Sequence, residues 1–221
     1  NLFARLIKFG LPNGLQFFID MVAFSVFVLV IGRIGTLELT AMNIVLNVNM
    51  LAFMPMIGLG ITVSIMVGQL LGANRQDAVD TVTISALQIG LAYMMSMALL
   101  YLAAPGIFIY PFISNNIAYV SAELEILTIS AMRLMAIWTM FDAIAIIISS
   151  ALKGAGDTHF IMLASIILSL VVLIVPLYLV VEVLGMGLNV ALSTAVAYVV
   201  LTGIVFSIRY QKGTWRSMRV I

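Results

Sequence analysis

Two aspartates lie inside long apolar stretches of this chain, Asp20 within residues 11–31 and Asp142 within residues 134–152. Apart from Asp142, every residue from Leu134 to Leu152 is apolar or small and neutral. At 1.5 Å per residue a helix of that length is about enough to cross the hydrocarbon core of a bilayer. A carboxylate at that depth costs at least ~2.5 kcal/mol on insertion, so it is read as functional by default. Asn13, Gln16 and Asp20 follow one another at spacings of three and four, which puts them on one helical face. Such a stripe on an apolar helix faces a cavity or a partner helix, the plainer reading being a hydrogen-bonded packing residue. The spans run in opposite directions and carry both carboxylates near the bilayer midpoint, so Asp20 and Asp142 can share a pocket if their helices neighbour. Two acids in a low-dielectric pocket do not both ionise cheaply, and one takes up a proton or the pair shares a cation. That is the chemistry of an ion-coupled transporter.

Around Asp142 the same face carries Trp138, Thr139 and Ser149, whereas Arg133 points to the other side of the helix and is read as facing the outer interface. Asn43, Asn47, Met50 and Met54 form a further stripe at helical spacing, readable equally as site lining or as interhelical hydrogen bonding and packing. Gln88 is the main polar residue of the third apolar stretch. Enzymatic chemistry finds no footing. The single His159 sits at a loop edge, no Gly-Lys-Ser/Thr phosphate loop is present, and no serine has a His and Asp arrangement, so Ser64 and Ser149 read as small-residue helix packing. There is no cysteine for a disulfide, a thiolate metal site or a thiol nucleophile. The short basic tail gives no support for nucleic-acid binding.

The elements that must hold these residues are membrane helices. With 64% hydrophobic and 9% charged residues and a mean hydropathy of +1.23, the chain is an integral membrane protein. Its apolar runs are about twice as long as barrel strands and do not alternate. The expected spans are residues 11–31, 38–67, 81–103, 127–151, 160–181 and 187–208, one all-α unit over residues 1–221. Pro12 is expected in the first turn, and Pro55 with Gly58 and Gly60 at a kink or close contact. Gly72 and Gly154 are expected helix stops, with Lys153 near the last carbonyls, and Asp77 and Asp157 or Thr158 are expected N-caps. Residues 104–124 suit an interfacial loop or short helix, and Trp215 an interfacial anchor. Six spans put both termini on one side, together with Arg5, Lys8, Arg75, Lys153, Arg209, Lys212, Arg216 and Arg219, which makes that side the cytoplasm. The loops after spans two and four both run from a Gly-Ala pair into an Asp, a weak three-span repeat.

Several stretches together resemble one family. They are Gly10-Leu11-Pro12 with Phe17-Phe18-Ile19-Asp20, Phe53-Met54-Pro55-Met56-Ile57-Gly58-Leu59-Gly60, Val67-Gly68-Gln69 with Leu71-Gly72-Ala73, and Phe141-Asp142-Ala143 running into Leu152-Lys153-Gly154-Ala155-Gly156-Asp157-Thr158. With the basic, Trp-containing tail, they resemble the C-terminal six-helix lobe of multidrug and toxic compound extrusion (MATE) transporters, in the NorM-like branch. The resemblance implies twelve helices in two lobes of a bacterial inner-membrane exporter. It implies no cofactor, small organic cations as substrates, and Na+ or H+ as the coupling ion. The lipid bilayer is the remaining partner. The family's cation site falls on Asp20 and Asp142, which would be the metal-binding pair if sodium is the ion, with Asn13, Gln16, Asn43, Asn47, Trp138 and Thr139 as further lining. In NorM-like members the first acid is usually Glu, and Tyr often stands where Trp138 offers no oxygen. Only one lobe is present. The other lobe is expected to lie outside a chain that begins at Asn1, the alternative being a homodimer of half-transporters. Two other functions fit less well. A lipid-linked glycan flippase would want a cavity lined by Arg and Lys, and a non-transporting scaffold would make the carboxylates merely structural.

Overall fold

The computed structural model describes residues 2–114 and 122–218. Its described residues form eight α-helices, α1 (Leu2–Ile34), α2 (Thr36–Gly72), α3 (Asp77–Ala103), α4 (Pro105–Ser114), α5 (Ala122–Gly154), α6 (Thr158–Leu168), α7 (Val175–Tyr178) and α8 (Leu188–Gln211), and no strand. Six stretches are long and apolar enough to cross a membrane: Gly10–Ile34, Thr36–Gly72, Asp77–Ala103, Ala122–Gly154, Thr158–Val183 and Leu188–Gln211. Helix is the outcome that lipid enforces, because each backbone N–H and C=O must find its partner within its own segment. The fifth span departs from regular helix twice, at the π-helical segments Ser169–Ile174 and Leu179–Val183 on either side of α7.

α5 is the axis of the unit. It packs extensively against α2, α3 and α8, whereas α1 lies mainly against α6 and, less, α2. Small residues permit the tightest of these crossings. Gly60, Ser64 and Gly68 recur every four residues on α2 and meet Ser150 and Gly154 on α5. A Cβ at Gly60 would stand 2.7 Å from the Ser150 hydroxyl, and one at Gly154 would run into the backbone of Ser64. This is the small-residue packing by which membrane helices approach closely. Pro55 lies inside α2 and cannot donate to the Leu51 carbonyl. The Tyr93 hydroxyl on α3 donates to that carbonyl instead, at 2.8 Å.

The ends differ from expectation in four places. α1 starts at Leu2, so Pro12 is interior to the helix and lies at the start of its membrane crossing. Gln76, not Asp77, occupies the N-cap position of α3, and no side chain caps there. Asp157 does hold the N-cap position of α6 but caps nothing, because its carboxylate takes Arg209 in a bidentate pair, Nε to Oδ2 at 2.7 Å and Nη2 to Oδ1 at 3.2 Å. Trp215 is buried rather than an interfacial anchor: it stacks on Tyr210 at 5.2 Å and donates Nε1–H to the Tyr210 carbonyl. The turn that carries it folds back onto α3, where Asp80 accepts from the Tyr210 hydroxyl at 2.8 Å and from Arg216 at 2.6 Å. The two similar loops are thus each tied by an aspartate to the end of α8 or its tail. At the opposite end Arg33 pairs with Glu182 at 2.9 Å, joining α1 to the fifth span. The short helix expected within residues 104–124 is α4. Residues 115–121, the side chains of Arg5 and Lys8, and Arg219 lie outside the described part.

Candidate functional site

The inward face of α1 reads Gln16, Asp20, Ala23, Phe27, Ile31, a helical period whose last three members are buried apolar residues. The same periodicity that docks the outer half of α1 therefore carries Gln16 and Asp20 inward. Gln16 donates Nε2–H to Asp20 Oδ2 at 2.6 Å. The other oxygen of each, Gln16 Oε1 and Asp20 Oδ1, is buried without a hydrogen-bond partner among the described residues. Two unmatched acceptors side by side are costly in an apolar interior, by about 1–3 kcal/mol for a neutral group and more for a charge. The spot is built to receive a donor or a cation.

Positive charge reaches it from α5. The Lys153 ammonium acts electrostatically on Asp20, and Asp20 on it, although α1 and α5 have little or no packing contact of their own. α2 and α8 lie between those helices and touch both. Asp142 makes no hydrogen bond or ion pair among the described residues. Tyr198 on α8 is within electrostatic reach of both Asp20 and Asp142. The two carboxylates are therefore related through α8 and not by a side-by-side pairing of their helices.

The other lining candidates are scattered. Thr139 is buried and donates to the Ala136 carbonyl at 2.9 Å, and Ser149 donates to the Ile146 carbonyl, so both serve α5 itself. Trp138 is half-buried against the apolar core. Asn13 is exposed, as are Asn43, Asn47, Met50 and Met54, the last four forming one outward stripe of α2, within which Asn47 donates to the Asn43 carbonyl at 2.8 Å. Arg133 is exposed. No group of three or more His, Asp or Glu that could hold a metal is present among the described residues. A cation at Asp20 would thus be held by one carboxylate, the Gln16 carbonyl and neutral oxygens.

Lys153 and Tyr198 were missed as site residues. The first carried a signal, since it is a lone basic residue ending an apolar span, but its position fits a helix-end role equally well. Tyr198 carried none, being one of several aromatics in a hydrophobic run.

The comparisons with known proteins bear on this geometry. A model of the MatE family matches residues 12–179. Multidrug resistance protein NorM of Burkholderia vietnamiensis is 30% identical over 165 residues, 73% of this chain and 35% of that protein. Multidrug resistance protein NorM of Aliivibrio fischeri is 29% identical over 155 residues, 70% of this chain and 32% of that protein. Among solved structures, a MATE in complex with MaD3S superposes with a TM-score of 0.85 at 18% identity, covering 98% of this chain and 48% of the other. An outward-facing multidrug resistance MATE family transporter gives 0.82 at 18% identity, covering 97% and 47%. The chain thus spans about a third of the length of the curated relatives it matches and just under half of the solved transporters, the share that one lobe of two would occupy. By the match over most of its length, this six-span chain belongs to the MatE family.

Proposed function

We propose that the chain is the C-terminal lobe of a twelve-helix secondary transporter that exports small organic cations in exchange for Na+ or H+. The observation that carries this reading is the Gln16–Asp20 pair with its two buried, unmatched oxygens on a membrane-spanning helix of a MatE-family chain. An entering proton supplies Asp20 with an O–H, and an entering sodium ion takes the carboxylate together with the Gln16 carbonyl. Lys153 acts as a tethered cation that balances Asp20 when the site holds no ion and gives way when one enters. Asp142 and the Tyr198 hydroxyl carry the change of charge to the α5–α8 framework, which biases the exchange between inward- and outward-open forms. The outward stripe of α2, Asn43, Asn47, Met50 and Met54, lines the path to the other lobe, where adaptable methionines suit varied apolar cations. By the positive-inside rule both termini face the cytoplasm of a bacterial inner membrane.

The test is efflux from proteoliposomes holding the complete transporter, with sodium and pH gradients imposed separately. Asp20→Asn, which keeps the size and the Gln16 bond but removes the charge, is expected to abolish efflux driven by one of the two gradients. Unchanged gradient-driven efflux in that variant overturns the proposal. The flippase alternative is weakened because the one basic side chain brought to Asp20, Lys153, is already opposed by a carboxylate.

A further inference from the structure

A cleft of about 230 Å³ opens between the start of α6 and the end of α8, lined by Phe160, Val205, Ile208, Arg209 and Lys212. Its two halves are chemically different. Val205 and Ile208 form an apolar wall, and Ile208 is exposed on the outside of the bundle together with Ile204 and, on α6, Leu163. Arg209 and Lys212 sit one helical turn further on, where α8 ends and the chain leaves the apolar run.

Arg209 is fixed and still has bonds to give. Its guanidinium lies 4.5 Å from the centre of the Phe160 ring and is clamped by the buried Asp157 carboxylate. That clamp uses two of the five guanidinium N–H donors, and no other hydrogen bond from Arg209 exists among the described residues. Its charge is balanced by Asp157, so the net positive charge of the cleft comes from Lys212, which is exposed and has no ion pair among the described residues. A fixed fork of N–H donors and a free ammonium beside an apolar wall, at the level where a span leaves the membrane, complement a phosphodiester that carries hydrocarbon chains.

We propose that this cleft binds an anionic phospholipid, its phosphate held by Arg209 and Lys212 and its first methylenes lying on Phe160, Val205 and Ile208. The site is separate from Asp20 and rests on the membrane-spanning fold alone, so it stands or falls independently of ion coupling. It commits to a lipid, because the apolar wall would be wasted on a soluble phosphate. The lipid would act as a wedge between α6 and α8, the helix that reaches both Asp20 and Asp142.

The experiment is native mass spectrometry of the complete transporter released from micelles doped with phosphatidylglycerol or phosphatidylcholine. Wild type is expected to retain phosphatidylglycerol in preference to phosphatidylcholine. Lys212→Glu should lower that retention at least about fivefold, the scale set by one basic residue at an anionic surface. Val205→Trp, which fills the cleft without touching a charge, should lower it with the thermal midpoint held. Arg75→Glu, which reverses an exposed charge outside the cleft lining, should leave retention as in wild type. Equal retention of the two lipids, or equal losses in Arg75→Glu and Lys212→Glu, overturns the site. So does displacement of the lipid by inorganic phosphate at matched concentration, which would mark a soluble-anion site.

Discussion

The two helices that carry a membrane-embedded aspartate are held very differently. Half of the membrane-crossing window of α5 is buried, against 22% for α1. α5 is gripped on three sides by α2, α3 and α8, with Gly60 and Gly154 allowing backbone-close contact, whereas α1 leaves Phe17, Phe18, Met21 and Phe24 outside and rests on one flank. Asp142 is therefore fixed to the frame. Asp20 rides on an element whose position a modest change in local charge can alter, since few packed contacts oppose it. An ion site divided between a fixed helix and a lightly held one converts occupancy into displacement, which a site built wholly into the frame would not do.

The contrast can be broken by substitution, and four changes rank in order. Asp20→Asn should cut ion-driven efflux by roughly a hundredfold while the thermal midpoint in detergent stays within a few degrees, since removing an uncompensated buried charge is no loss to folding. A large fall in midpoint would show that α1 belongs to the frame after all. Gly154→Leu should do the opposite, lowering stability by about 1–3 kcal/mol or more through overpacking against Ser64, read as a lower midpoint and poorer yield of folded protein. Normal stability there would mean that the α2–α5 crossing is looser than its geometry. Lys153→Met should reduce efflux about tenfold and raise the apparent affinity for the coupling ion, because the tethered competitor is gone. An unchanged ion dependence would remove Lys153 from the site. Tyr198→Phe should cost about threefold in efflux, the size of one neutral hydrogen-bonding group, and no effect would leave the two carboxylates without a link through α8.

The spans and their two aspartates were legible because lipid imposes one rule along the whole sequence. Twenty apolar residues make a helix, and a charge inside one stands out. Gln16 was legible for the same reason, as was the small-residue character of Ser64. What could not be read depends on distant partners. Asp157 follows a helix stop and should cap α6, but Arg209, fifty-two residues later, offers a charge-assisted bidentate bond, which is worth more than a cap. Trp215 follows a span in a basic tail, the pattern of an interfacial anchor, and only the fold-back onto Tyr210 buries it. Asn43 and Asn47 showed helical spacing, but spacing cannot say whether a stripe points inward, and in this lobe it points out. Lys153 needed the third dimension entirely, since its reach to Asp20 crosses between helices that barely touch.

The fifth span holds one more consequence. Each π-helical segment widens its turn by roughly one residue relative to α-helix, so the span's length and facing are set by a slightly longer stretch of sequence than a regular helix would need. Deleting a single residue from Ser169–Ile174 would let that stretch close into ordinary turns, and everything after it would swing by about 100° around the helix axis. Glu182 would then point away from Arg33, and the bridge between α1 and the fifth span would part without either of its residues having been altered.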